Sequence, residues 1–143
     1  VQIQGDRNRL SDYDGQLRRF SPDVIVDLIL SSGEQARQLV ETAHEIARRV
    51  IAISSMDVYR AWGVVHEVEG GPLDPLPITE DSPLRTTRKL YSQENVKMLQ
   101  NTFTWLDEHY DKIAVEEAIQ SDPAVPWTIL RLPNGVRPGR SPP

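Results

Sequence analysis

DVIVDLIL, residues 23 to 30, is a near-continuous run of apolar, largely β-branched residues that follows Ser21-Pro22. A run of this kind has no polar face to turn toward water, which is how a strand buried on both faces of a parallel sheet reads. Ser31-Ser32-Gly33 closes it. Beyond that point Ala36, Leu39, Val40, Ala43, Ile46 and Ala47 recur at helical spacing, so an amphipathic helix is expected over 33 to 47. RVIAISS, residues 49 to 55, reads as a second buried strand. Strand, helix and strand at this spacing make a right-handed βαβ unit, and an α/β layered fold follows from the alternation.

Working outward, proline and glycine dominate from Trp62 to Thr87, as in GGPLDPLPITEDSPL, and a long surface loop is expected there. A helical stretch from about Gln93 to Trp105 follows, then a helix from about Asp107 to Gln120. Pro123 and Pro126 bracket its exit, and WTILRL, residues 127 to 132, is a third strand. VQIQGD at the front has the pattern of a short strand ending in a Gly-Asp turn. The tail PNGVRPGRSPP has no helix or strand pattern. Leu99, Phe103 and Trp105 at helical spacing mark a stripe that packs on the domain or on the second subunit of a homodimer.

Composition narrows the function classes. With 143 residues, 38% apolar and 26% charged, the chain is the size of one globular domain and too apolar for a disordered one. Its net charge of -5, with basic residues scattered, makes nucleic acid an unfavoured partner. The absence of cysteine excludes disulfides, thiolate ligands and a cysteine nucleophile. His44, His66 and His109 share no metal-ligand spacing, so no metal site is expected. No apolar run approaches the roughly 20 residues of a membrane span, and the N-terminus does not read as a signal peptide. No membrane partner and a cytoplasmic location are therefore expected.

In open parallel sheets ligands sit beyond the carboxyl ends of the strands. The residues there are Gly5-Asp6-Arg7, Leu30-Ser31-Ser32, Ser54-Ser55-Met56 and Leu132-Pro133-Asn134. They offer hydroxyls, a carboxylate and a guanidinium, although Ser, Asp and Gly also favour turns and helix caps for local reasons.

Four segments in order carry a family resemblance. ISSMDVY, then PITEDSPLR, then YDKIAVEEA, then PWTILRLPN with Pro138-Gly139, resemble the NAD-dependent epimerase/dehydratase family, the extended short-chain dehydrogenase/reductases. The family pattern is a strand ending in SS-x-x-VYG, a P-x-TE-x-x-P loop, a Y-x-x-x-K-x-x-x-E helix and a strand ending in R-x-x-N-x-YGPG. The resemblance spans residues 5 to 139. It implies a Rossmann-like NAD(P)-binding domain over 1–143, with the 62–87 loop and a helical insertion at about 88–106, acting by hydride transfer on a nucleotide sugar or a related alcohol or ketone. The cofactor implied is NAD or NADP.

Residue by residue, the resemblance matches Ser55 to the hydroxyl that bonds the reacting substrate oxygen. Lys112 matches the lysine that holds the nicotinamide ribose and lowers the pKa of a catalytic tyrosine, and Tyr110 is the nearest tyrosine. An unperturbed phenol titrates near about 10, so the chemistry requires such help. Asp6 and Arg7 match the turn near the adenine, while Leu28, Ile29 and Leu30 match the strand end along the cofactor. Ser54, Pro133 and Asn134 complete the cofactor set, Arg131 with Asn134 matches the R-x-x-N strand end, and Tyr59 with Ser55 and Asn134 lines the substrate side.

Three departures stand beside the match. The family's G-x-x-G-x-x-G turn, whose helix N-terminus receives the pyrophosphate, has no counterpart among the eight glycines, so the sequence reads as a fragment and little or no cofactor binding by these residues alone is expected. Val136-Arg137 replaces the family's YG. Tyr110 stands two places before Lys112 instead of four, and Glu108 takes the aligned position. Within one helix, two places are about 200° and point the side chains apart, whereas four are about 400° and share a face. If the helix begins only at Asp111, Tyr110 lies in a turn and that geometry lapses. A non-catalytic, cofactor-sensing or RNA-associated protein of the same fold is the alternative reading.

Overall fold

The computed structural model of the chain describes residues 2–133. Asn134, Val136, Arg137 and the Pro138-Gly139 pair, singled out above, lie outside the described residues. Three strands form one parallel sheet, β1 (Val24–Asp27), β2 (Arg49–Ser55) and β3 (Trp127–Leu132), in the spatial order β1-β2-β3. Ile25 lies opposite Val50, and Ala52 lies opposite both Asp27 and Ile129. Five helices accompany them: α1 (Asp14–Phe20), α2 (Gly33–Ala43), α3 (Arg60–Val65), α4 (Gln93–Thr102) and α5 (Lys112–Gln120). The chain is thus mixed α/β, with helices flanking a small parallel sheet.

Packing on one sheet face makes the core. Ala36, Leu39, Val40 and Ala43 of α2 and Val115 and Ile119 of α5 close over Val50 and Ala52, with Ile25 and Ile129 against the same cluster. Each fully buried Leu, Ile or Val of this kind contributes about 1.5–3 kcal/mol. α2 and α5 approach closely because Gly33 has no side chain: a Cβ there would stand 3.2 Å from both the Cβ and the carbonyl oxygen of Ala114. Among the described residues no helix covers the opposite face. Val24, Val26, Leu130 and Leu132 project from it and are exposed, an arrangement at odds with the two-sided burial usual for parallel strands.

Several boundaries differ from the sequence reading, each for a local reason. β1 ends at Asp27 and not at Leu30, because the Asp27 carboxylate accepts the Ile29 N–H at 3.0 Å and turns the chain out of the sheet. α2 stops at Ala43, short of Ala47. The first residues form no strand. Asp6 caps a 3-10 turn over Arg7–Tyr13 by accepting the Asn8 N–H at 2.9 Å. Arg60–Val65 is helical at the front of the long loop. α4 ends at Thr102, and α5 begins only at Lys112, with Asp111 extended and capping it through the Ile113 N–H at 3.0 Å. Among the described residues no helix is long and apolar enough to cross a membrane.

Candidate functional site

The delayed start of α5 builds the site. Residues 107–111 run along Ser31 and Ser32 at the exit of β1 instead of coiling. Asp107 N–H donates to Ser31 Oγ at 2.9 Å, Ser32 Oγ donates to the Asp107 carboxylate at 2.7 Å, and Asp111 N–H donates to Ser31 O at 2.9 Å. Ser32 also caps α2. Tyr110 therefore lies outside the helix, just before the cap, so the 200° separation does not govern where its ring points.

From that turn the Tyr110 hydroxyl donates a 2.6 Å hydrogen bond to Asp57 Oδ2. Asp57 lies just past β2 in a 3-10 turn, Met56–Val58, and is 1% exposed. Burial pushes its carboxyl above the usual carboxylate range, against the pull of the Tyr110 hydrogen bond and of the Arg85 and Lys112 charges. Burial and the neighbouring Asp57 charge push the Tyr110 phenol up as well. Tyr110 ends a row of ring contacts, Trp62 to His66 at 5.0 Å, His66 to Tyr91 at 5.8 Å and Tyr91 to Tyr110 at 5.5 Å between centroids.

Lys112, the first residue of α5, is buried. Its ammonium donates to the carbonyl oxygens of Leu30 and, at 3.3 Å, Ile53, tying α5 to the segment that follows β1 and to the last part of β2. Burial pulls its pKa below the ordinary lysine value, opposed by Asp57, Asp27 and Glu116. One turn on, Glu116 accepts from Ser54 Oγ at 2.6 Å and from Arg131 Nε and Nη2 at 3.0 and 2.8 Å. Arg131 Nη1 donates to the Tyr59 hydroxyl at 3.2 Å, with the guanidinium 5.0 Å from the Tyr59 ring centroid. The Lys112 and Glu116 pair, which a helical charge row would leave in water, is buried; Glu108 is exposed and outside the helix.

The sequence-derived candidates divide accordingly. Tyr110, Lys112 and Ser54 meet at the carboxyl end of the sheet through Asp57, Leu30, Ile53 and Glu116. Ser55 Oγ caps the turn after β2, accepting the Asp57 N–H at 3.3 Å, and does not bond Tyr110 or Lys112. Tyr59 packs with Val58 and Ile113 in a small second core. Leu30 is core and offers only its carbonyl to this site, Leu28 is exposed, and Pro133 is exposed beyond β3. Asp6, Arg7 and Ile29 line an open groove of about 630 Å³ together with Gly5 and Trp105. In it Arg7 is held by Asp27, Nε and Nη2 donating at 2.9 and 2.6 Å, while its Nη1 is buried without a partner. A second cleft, of about 400 Å³, is walled by Tyr91, Tyr110, Asp111, Arg88 and the Ser32-Gly33 start of α2.

Sequence reasoning missed Asp57, which occupies a variable position of the SS-x-x-VY pattern. The available signal was an acid placed between Met56 and Val58, directly after a buried strand. It also missed Arg85, whose fully buried guanidinium donates from Nε to Asp57 O at 2.7 Å and stands 3.6 Å from the Asp111 carboxylate. Among the described residues no cluster of three or more His, Cys, Asp or Glu is placed to hold a metal ion. In comparison with known proteins, the chain matches no family model, no curated protein and no solved structure.

Proposed function

We propose that the chain carries the centre of an NAD(P)-dependent oxidoreductase of the epimerase/dehydratase kind, acting by hydride transfer on a nucleotide sugar or a related alcohol or ketone. The observation that carries the reading is the placement of Tyr110 and Lys112 against the segments that follow β1 and β2, the side on which open parallel sheets bind their ligands. The consecutive order β1-β2-β3 supports a Rossmann-like sheet, since each half of the 3-2-1-4-5-6 arrangement runs outward in order. So does the apolar face left uncovered among the described residues, which a doubly wound sheet covers with a second helix layer.

The residues present fit part of a dinucleotide. The groove at Gly5, Asp6, Arg7, Ile29 and Trp105 has room for adenosine. The glycine turn that receives a pyrophosphate is not in this sequence. When bound, the cofactor supplies the hydride acceptor or donor. Tyr110 then exchanges the proton of the reacting hydroxyl, and Lys112 holds the Leu30 and Ile53 carbonyls and supplies positive charge.

A non-catalytic, cofactor-sensing protein of this fold is the second reading. It is favoured by one observation: the Tyr110 hydroxyl and the Lys112 ammonium both bond to groups of the protein itself. A nicotinamide absorbance assay of the full-length polypeptide with NAD+ or NADP+ and a panel of nucleotide sugars separates the two. Turnover that Lys112→Ala removes and Ser55→Ala weakens is expected. Unchanged turnover in the lysine variant contradicts the assigned roles, and cofactor binding without any turnover favours the second reading.

A further inference from the structure

The Tyr110 phenol is hydrogen-bonded to a carboxylate and not to the ammonium of Lys112, whose contacts go to the Leu30 and Ile53 carbonyls. Asp57 is held on both sides of its backbone. Ser55 Oγ accepts its N–H at 3.3 Å, and Arg85 Nε donates to its carbonyl at 2.7 Å. Its Oδ1 is buried with no partner, so the Tyr110 proton is the only hydrogen bond to this carboxylate among the described residues. Tyr110 meanwhile forms part of the wall of the 400 Å³ cleft. The Tyr110 hydroxyl thus reaches a buried acceptor from a residue that lines a space a ligand can enter.

From this geometry we propose that Asp57 is the positioning residue that activates Tyr110, taking the phenol proton as Tyr110 takes a proton from the substrate hydroxyl. The inference rests on the oxidoreductase reading above. In the oxidation direction the substrate O–H proton passes to the Tyr110 oxygen while the Tyr110 proton passes to Asp57 Oδ2. The carbinol hydrogen would leave as hydride, for which a bound oxidised nicotinamide would be the acceptor, and the carbinol would become a carbonyl. Asp57 ends protonated, and reduction runs the same transfers backward. The relay removes the need for a resting tyrosinate.

The surroundings suit the task. Asp57 is faced by Arg85 from the long loop, Lys112 from α5, Asp111 from its cap, and Tyr91 beside Tyr110. The two cations offset the acids beside the carboxylate that takes the proton.

Two measurements on the full-length polypeptide test this. Alkaline titration of tyrosinate absorbance, taken as wild type minus Tyr110→Phe, isolates the Tyr110 step and needs neither cofactor nor substrate. Asp57→Asn, taken against its own Tyr110→Phe double variant, is expected to lower that step by about one pH unit or more, since the neighbouring charge is gone while an acceptor oxygen stays. An unchanged step overturns the proposal. If Asp57→Asn does not fold, the infrared carboxylate bands of folded wild type and Tyr110→Phe decide instead: a shifted aspartate band supports the contact, and identical bands overturn it.

The second measurement is the pH profile of turnover. Asp57→Asn is expected to lower kcat by about a hundredfold or more with KM little changed, and to remove the acid limb of the profile. Wild-type kcat and profile in a folded Asp57→Asn variant overturn the relay. Loss of the oxidoreductase reading shows separately, as absence of cofactor binding with the tyrosine titration intact.

Discussion

Glu116 holds Arg131 in a two-pronged hydrogen bond, Nε and Nη2 donating to its two oxygens at 3.0 and 2.8 Å, and thereby fixes β3 to α5. Glu116 is almost wholly buried and also accepts the Ser54 hydroxyl, so all three groups depend on one carboxylate. Removing one member of a buried pair strands the other charge, which is costlier than never having buried either. Arg131 is only part-buried and keeps its bonds to Tyr59 and Glu80, so Glu116→Ala is expected to lower unfolding free energy by about 1–3 kcal/mol in urea denaturation, and Glu116→Leu combined with Arg131→Met to recover a good part of it. A loss below about 1 kcal/mol in the single variant would show that the pair is not held as described.

Asp57 sets the sign of a pH dependence. Its carboxyl is raised in the folded state by burial, above the unfolded value of about 3.9. Between those two values the folded protein binds more protons than the unfolded one, so this group's contribution is full below the unfolded value and is lost as pH rises through the folded one. Asp57→Asn removes the titration. The stability of that variant relative to wild type is expected to grow from about pH 4 upward, by at most about 1.4 kcal/mol per unit, and then to level off. Urea midpoints across that range check it, and a pH-independent difference contradicts it.

Two glycines should respond in opposite directions. At Gly33 an added Cβ meets Ala114 at 3.2 Å, where α2 and α5 touch, and Gly33→Val is expected to cost about 1–3 kcal/mol by overpacking. At Gly15, inside α1, nothing lies within 4 Å of the added Cβ. Gly15→Ala is expected to stabilise by about 0.4–1 kcal/mol through the unfolded chain's lost freedom. Thermal unfolding of the two variants reads both signs, and equal signs would contradict the packing of α2 on α5.

β2, β3 and the inner face of α2 were legible because burial writes itself into sequence periodicity, whereas the expected Leu99, Phe103 and Trp105 stripe is no helix face: α4 ends at Thr102, and Leu99 and Phe103 are exposed. RVIAISS and WTILRL became β2 and β3 over the residues expected. The start of α5 was not, because an apolar period cannot locate a cap: Asp107 and Asp111 are both acids able to serve, and only the contacts of Asp107 with Ser31 and Ser32 reserve the role for Asp111. That same ambiguity hid where Tyr110 points. Asp57 was hidden for a different reason. Its partner lies 53 residues away, and no local pattern marks a carboxylate for a distant phenol. Lys112 was picked out from the sequence, but its bonds to the Leu30 and Ile53 carbonyls depend on how the chain turns after β1 and where β2 ends.

Cofactor binding is the most direct test of the oxidoreductase reading. The full-length polypeptide is titrated with NADH and NADPH while nicotinamide fluorescence is followed, up to about 1 mM, where half-saturation corresponds to only about −4 kcal/mol of binding free energy. Saturable binding of one or both, weakened in Lys112→Ala, is the expected result. Failure of a folded full-length protein to bind either nucleotide in that range contradicts it.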